Sequence, residues 1–376
     1  MKQLVLGLVY LVGTAAPSRA AVLTVPGDYS TIASAVAAAN DGDTIQIGPG
    51  SYREAIVAYA KDLIFESTAG AQQTFLLGPA SAVPSNPWIQ ISSFSTLRGF
   101  TLTSTPESTA WVNVEGNVVG VLPGALIEDN VFDGTDAGER FRAALSFNDS
   151  AGRVRGNIFR GWTRGETNPG LSVLEVVNGG VVEIENNLFL DNRATAVGLH
   201  GNFRPNRIVN NNFVGNRRAI WLGFAAGGAV LRNNILADND VGLEVQTAAP
   251  SHTWTHNIVW GNSLDYVGTA DPTGVDGNLR ADPEFVAGQR LRLVAGSAAI
   301  DAGTNQDAPS KDFAGTPRPQ DGNNDGAAAW DIGAAERIST VLEIPALGAF
   351  GAALLIGATA LVGMLALSTR RRHDLA

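Results

Sequence analysis

The chain has no cysteine. That excludes a disulfide framework, a thiol nucleophile and a thiolate metal site. Charge is sparse: only 16% of the residues, with 36 Asp and Glu against 26 Lys and Arg and a formal net charge of −10. A nucleic-acid partner is not expected, since phosphate binding wants a basic face. Catalytic signatures are scarce too. No Asp-Asp pair or equivalent constellation falls on an alternating strand, whereas glycoside hydrolysis needs two carboxylates ~5–9.5 Å apart. His252 and His256 lie four apart, but on a turn-and-strand stretch rather than a helix, which is not metal-ligand spacing. Glycine is abundant, at 43 of 376 residues, which suits a turn-rich β structure.

What is present is a recurring asparagine. Asn130, Asn157, Asn187, Asn211, Asn234, Asn257 and then Asn278 follow one another at spacings of 27, 30, 24, 23, 23 and 21 residues. Two residues after the first six stand Phe132, Phe159, Phe189, Phe213, Leu236 and Val259. Three before stand Ile127, Val154, Ile184, Ile208, Leu231 and Trp254. Apolar residues alternating with polar ones mark strands with one buried face. Asn192, Asn216, Asn239 and Asn262 repeat five residues further on. A second alternating strand follows, as in Ile220 and Leu222 or Leu243 and Val245, with Trp221 and Glu244 expected to point outward.

A unit of about 23 residues cannot bury its own apolar face, but copies stacked at ~4.8 Å can. Asparagines in register then form amide ladders. Asparagine also tolerates the left-handed backbone of a sharp bend. The expected fold is all-β, a right-handed parallel β-helix of about 9–11 coils. Outward columns fit that register: Glu128, Arg155 and Glu185 in one, Arg153, Glu183 and Arg207 in another, with signs alternating as cross-strand pairs require. These charges read as structural.

Two regions could carry function. The long intervals of 27 and 30 residues place insertions near 134–142 and 163–170 on one side of the stack. Asp133, Asp136, Glu139, Arg160, Trp162 and Arg164, in and beside them, offer carboxylates, guanidinium groups and an aromatic platform for a sugar polymer. The alternative is a pair of solvated loops with an anchoring Trp. Asp321, Asn323 and Asp325 in Asp-Gly-Asn-Asn-Asp-Gly match the first half of an oxygen-ligand calcium loop, with Asp331 near the place of the usual Glu. They fit either a calcium site or a plain turn.

The termini carry addresses. Lys2, the apolar run 4–16 and Ser18-Arg19-Ala20 read as a secretory signal cleaved after Ala20 or Ala21. Residues 346–367 are uncharged over a length that crosses a bilayer, and Arg370, Arg371 and Arg372 follow on the cytoplasmic side. A helix with Ile32, Ala35, Val36 and Ala39 on one face, capped by Ser30 or Thr31, is expected to shield the first coil.

Several motifs resemble known families. Gly42 to Ile45 and Pro49 to Tyr52 resemble the N-terminal cap of pectin-lyase-like β-helix proteins. Asp282-Pro, Ser297 to Gly303 and Asp331 to Glu336 resemble the end of bacterial choice-of-anchor Q proteins, which implies surface export without a defined reaction. Ile344, Pro345, Leu347 and the Arg run resemble the IPTL-CTERM sorting tail, with Ala346 where threonine is usual; this implies recognition by a membrane sorting protease. A plain membrane anchor is the alternative. His200 with Arg207 resembles part of a polygalacturonase signature whose carboxylate partners are absent, and the pectinesterase nucleophile motif is absent. The implied plan is a signal peptide over 1–21, β-helix over 22–286, C-terminal cap over 287–341, and a sorting segment with a transmembrane helix over 342–376. The expected function is an exported, surface-directed protein binding extracellular polysaccharide, with a lyase or hydrolase, or a structural or adhesive spine, as alternatives.

Overall fold

A computed structural model describes residues 19–79, 87–103, 112–115, 124–135, 143–162, 172–201, 204–224, 227–246 and 252–339. The expected signal core and the sorting tail, with Ile344, Pro345, Leu347 and the three terminal arginines, lie outside the described residues. Among those described, no helix is long and apolar enough to cross a membrane. The chain divides into Met1–Arg337 and Ile338–Ala376. The β-helix belongs to the first of these units.

Each coil contributes one strand to each of three parallel sheets. Sheet A has ten strands, from Val22–Val25 to Thr253–Thr255. Sheet B has nine, from Gly50–Arg53 to Ile258–Trp260, and sheet C has nine, from Ile56–Ala58 to Leu264–Val267. The expected register holds. Ile127, Val154, Ile184, Ile208, Leu231 and Trp254 pair in sequence up sheet A. Phe132, Phe159, Phe189 and Phe213 pair up sheet B. Their rings stack with centroids 4.5, 4.8 and 4.7 Å apart, almost coplanar. Period-two alternation thus puts one buried column inside each sheet.

The bend between sheets A and B is fixed by amides. Each Asn Oδ1 accepts both the main-chain N–H and the side-chain NH₂ of the asparagine one coil back, as Asn211 does from Asn187 at 2.9 and 3.0 Å. The Asn211 NH₂ also donates to Ile184 O, Val209 O and Asn234 Oδ1. The same pattern runs from Asn130 to Asn278. A second ladder joins Asn192, Asn216, Asn239 and Asn262. Its first donor is the main-chain N–H of Trp162.

The ladder asparagines are not themselves left-handed; the residue before each takes that conformation. Asp129, Gly156, Asn186, Asn210, Asn233 and His256 do so at the first ladder, and Asp191, Gly215, Asp238 and Gly261 at the second. Asp and Gly alternate in the second series for a steric reason. A Cβ on Gly215 would lie 2.3 Å from Asp191 Oδ1, and one on Gly261 would lie 2.6 Å from Asp238 Oδ1. The carboxylate of one coil fills the room that the next coil's glycine leaves.

Thr31 caps the helix Ile32–Ala38, whose Ile32, Ala35 and Val36 are buried. At seven residues it is too short to stand alone. Two distant side chains hold it: Glu54 accepts from the Ile32 and Ala33 N–H groups, and Lys61 Nζ donates to the carbonyls of Val36, Ala37 and Ala39. The charges complement the helix ends.

The segment expected as a C-terminal cap docks on the flank of the stack. It contains isolated bridges rather than long strands. Its carbonyls and amides bind the left-handed asparagines of successive coils: Asn186 Nδ2 to Lys311 O, Asn210 Nδ2 to Gly333 O, and Asn233 with Thr304 N and O. Ile332 packs with Ile235, Ala237 and Ile258.

Asn211→Ala would strand the buried Asn187 N–H and take a donor from Ile184 O and Val209 O, the latter still bonded by Asn186 N–H; a buried group left unpaired costs ~1–3 kcal/mol. A clear drop in the urea midpoint is expected, against a shift within ~0.5 kcal/mol for the exposed Asn323→Ala. Equal midpoints for the two variants would show that the ladder does not hold the register.

Candidate functional site

The charged columns of sheet A meet the C-terminal segment. In register, Glu66 pairs with Arg98, Arg98 with Glu128, Glu128 with Arg155, and Arg155 with Glu185. In the parallel column Arg153 pairs with Glu183 and Glu183 with Arg207. The side chains close these pairs: Arg155 to Glu128 at 2.7 Å, Arg207 to Glu183 at 2.9 Å, Arg153 to Glu183 at 2.5 Å and, more loosely, to Glu185 at 3.8 Å. Over this face lies Pro309–Gly315. It encloses a groove of about 650 Å³ with Glu128, Asp129, Arg153, Arg155, Glu185 and Asn186 on the coil side. Phe313 and Lys311 line the opposite wall. A second cavity of about 230 Å³ shares Arg153, Glu185 and Pro309 and reaches Arg207 and Asp307.

The two signs are unequally presented. The Arg153, Arg155 and Arg207 side chains are 37%, 43% and 49% exposed, whereas Glu128, Glu183 and Glu185 are 10%, 12% and 17% exposed. Arg is longer than Glu, so its stem lies along the sheet and its head reaches past the carboxylate. The ladder thus offers guanidinium groups outward from a chain that is acidic overall.

Two carboxyls depart from their ordinary range. Burial pushes the Glu185 carboxyl up, against the pull of Arg153. Burial, then the neighbouring Glu128, pushes Asp129 up. By contrast Arg98, first, and Gln46 hold Glu66 below its usual value through hydrogen bonds.

The expected loop site comes out differently. Asp133 and Arg160 do come together, at 2.7 Å, from adjacent coils of sheet B. Asp133 also accepts from the N–H and hydroxyl of Thr135. Burial pulls its carboxyl up, but these bonds outweigh it and hold it below the usual range. Trp162 is 1% exposed, with Nε1 donating to Phe132 O. A Cβ on Gly134 would sit 2.3 Å from its ring. It occupies the second-ladder position, which faces inward, so it offers no outer platform. Asp136, Glu139 and Arg164 lie outside the described residues. Trp221, expected to point outward, is 6% exposed, with His200 at 5.6 Å. Glu244 beside it pairs with Arg218 at 2.7 Å.

Three of the four calcium candidates share one turn, and Asp331 lies in the buried segment beside it. Asp321, Asn323 and Asp325 bond one another's turn: Asp321 accepts from Gly326 N, and Asn323 from Asp325 N. Asp331 is fully buried, with its two oxygens accepting from Asp301 N and Arg337 N. Among the described residues no group of three or more His, Cys, Asp or Glu side chains is placed to hold a metal. His252 Nδ1 accepts from Ala229 N, a structural bond.

The motif Asp331 to Glu336 forms instead a buried knot with Arg318. Arg318 pairs with Glu336, both side chains wholly buried, and also donates to Asn186 Oδ1 and Gly333 O. Sequence reading missed this docking, although the Asn186-Asn187, Asn210-Asn211 and Asn233-Asn234 doublets carried a signal. The second asparagine of each builds the ladder, and the first is free to bind something else.

A family model described as right handed beta helix region matches residues 112–279, and the three-sheet coil is that fold. Among solved structures, the chain is similar to pectate lyase Pel9A at 16% identity, covering 85% of this chain and 97% of that one with a TM-score of 0.39. It is also similar to the catalytic domain of a GH87 alpha-1,3-glucanase in complex with nigerose, at 15% identity with a TM-score of 0.31, covering 66% of this chain and 52% of that one. Superpositions this loose say nothing about chemistry. No curated protein matches the chain.

Trp162→Ala is expected to destabilise the fold by about 3–5 kcal/mol, the cost of emptying a large core site. A thermal melt checks this. An unchanged melting temperature would return Trp162 to the surface.

Proposed function

We propose that this chain is an exported, surface-directed β-helix protein that binds an acidic extracellular polysaccharide in the groove under Pro309–Gly315. The observation that carries the reading is the unequal exposure of the ladder: guanidinium heads stand outward while the carboxylates beneath them are tucked in. Guanidinium binds a sugar carboxylate or sulfate in bidentate fashion. Phe313 in the opposite wall supplies an apolar face for a sugar ring. The two joined cavities follow the coil axis from Glu128 to Arg207, four strands of sheet A. At ~4.8 Å per strand that is room for a few sugar units rather than one.

The wider plan belongs to the same reading. Residues 1–21 direct export and are removed. The helix Ile32–Ala38 shields the first coil. Residues 342–376, with their resemblance to a sorting tail, engage the membrane and a sorting protease. The resemblance of residues 282–336 to choice-of-anchor Q proteins accords with a surface address. N-terminal sequencing of the exported protein should begin at Ala21 or Val22; an intact Met1 would rule out the signal.

One observation favours a second, enzymatic reading. Glu185, its carboxyl raised by burial beside Arg153, is fitted to hold a proton for a leaving group. Binding is preferred because Glu128 and Glu183 are held by guanidinium groups and are not free to act as a second catalytic carboxylate, while the guanidinium heads still face outward.

The purified protein should be retained on immobilised polygalacturonate or alginate at low salt and eluted by about 0.5 M salt, because screening removes exposed charge pairing. Neutral dextran should not retain it. Arg155→Gln and Phe313→Ala should each weaken retention about tenfold, or ~1.4 kcal/mol. Reducing ends or 235 nm absorbance, lost in Glu185→Gln, would establish the enzymatic reading instead. Retention by neither polymer class would leave a structural spine.

A further inference from the structure

The wall of the groove is not part of the solenoid. It is a segment docked by hydrogen bonds to side-chain amides and by the pairing of Asp307 with Arg232 and, more loosely, Arg207 of the coils, and its attachment holds an unbalanced set of buried charges. Asp312, Asp331 and Glu336 are 6%, 0% and 7% exposed, and Arg318, set among them, has a wholly buried side chain. Asp301 donates its N–H to Asp331 Oδ1 and turns its own carboxylate toward Gly322 N and Asn323 N. Arg337 stands at the rim, its guanidinium on Gly322 O. From the coils, the groups that meet the knot are the amides of Asn186, Asn210 and Asn212 and the main-chain carbonyl of Asn233, which bring no compensating charge. Arg318 Nε is buried without a hydrogen-bond partner. Each oxygen of these three carboxylates accepts at least one N–H. Yet one guanidinium among three carboxylates leaves a net buried negative charge, a cost that one retained proton would relieve.

We propose that residues 301–337 form a proton-operated strap, docked on the coil asparagines while the knot around Arg318 keeps one carboxylic proton, and loosened when that proton leaves. The mechanical link is short. Asn186 holds both Lys311 O and the Arg318 guanidinium, so the residue that anchors the knot also anchors the groove wall. Undocking at Asn186 therefore lifts Pro309–Gly315 from the coils and opens the groove. This last step rests on the reading of the groove as a polysaccharide site; the docking itself does not.

The direction in pH follows from Asp331. Burial first, and Glu336 second, push its carboxyl up to about 7. Burial likewise raises Glu336. A free carboxylate titrates near ~4. The docked state therefore holds a proton that the undocked state has lost between these values. Docking is firmest in acid, weakens as pH rises from about 4 to about 7, and levels off above that.

Amide hydrogen exchange on the full chain tests this. The reporters are Thr304, Gly333 and Ala334, whose N–H groups bind Asn233 Oδ1, Asn233 O and Asn212 Oδ1. After correction for intrinsic exchange, their protection should fall about tenfold per pH unit between pH 5 and 7 and flatten by pH 8, as release of one proton requires. The ladder amides of Asn187 and Asn211 should stay constant. Asp331→Asn should abolish the slope. Glu336→Gln removes a second carboxylate from the knot and should flatten it too, which covers the case where the first variant does not fold. A wild-type profile without slope, or one unchanged in a variant with protected ladder amides, overturns the proposal. Alginate retention on the same samples separates the two readings. A slope without retention leaves the strap and removes the polysaccharide site, and retention without a slope does the reverse.

Discussion

An asparagine side chain that binds its copy in the next coil sets the geometry of everything else here. Its oxygen takes a main-chain N–H and a side-chain NH₂ together, and its own NH₂ reaches one main-chain carbonyl of the coil before and one of its own coil. At the bend between sheets A and B the flanking main-chain groups bond across coils, as Asn186 N–H does to Val209 O. The N–H groups of the ladder residues bond only to the next side-chain amide, and burial makes each such group costly to leave unpaired. The ladder satisfies those groups and at the same time admits only one register, since a slip by one residue would break every rung. The phenylalanine stack two residues away adds dispersion and burial in the same register. Because the amides fix the height of each coil, the outward columns of Arg and Glu are fixed as well.

Those columns matter more as a surface than as a source of stability. Exposed ion pairs contribute little, about 0–1 kcal/mol each. Their arrangement does something else. A carboxylate set between two guanidinium groups, as Glu128 is between Arg98 at 3.5 Å and Arg155 at 2.7 Å, is covered by them, its side chain only 10% exposed, and offers little to a ligand. The guanidinium groups, with five donors each, still have N–H groups to offer. A ladder with balanced formal charge thus becomes a surface of hydrogen-bond donors. In a chain of net charge −10 this concentrates attraction for an anion at one face.

The coil architecture was legible because it is local and repeated. Each rung restates the same residue at the same offset, and the charge columns checked the alignment independently. The site was less legible. Trp162 borders the 163–170 insertion and so reads as part of a loop site, whereas its place five residues after Asn157 puts it in the second ladder's column, facing inward. The apolar interior of sheet C follows from the alternation, but the burial of Trp221 on its outer face does not, since its ring lies down over Gly198 and Gly223, with His200 beside it. The groove itself needs contacts such as Asn186 with Lys311, 125 residues apart. No periodicity encodes a contact of that separation. What the sequence did carry was the Asn-Asn doublet, in which one amide is spent on the ladder and the other is left to face outward.

A solenoid of flat sheets has little concavity of its own, so a pocket requires a wall from elsewhere. Loops inserted within coils are one source, and a returning segment is another. The second source has a thermodynamic consequence. A ligand touching both Arg155 on the coil and Phe313 on the segment binds the docked state better than the undocked one, so it must strengthen docking by the same factor by which docking strengthens its binding. The size of that coupling is bounded by the contacts made to the wall alone. Contacts to the coil persist in either state and cannot shift the equilibrium. The Arg ladder therefore sets how tightly an acidic chain is held, while Phe313 and Lys311 set how strongly that chain reports on, and controls, the attachment of the C-terminal segment.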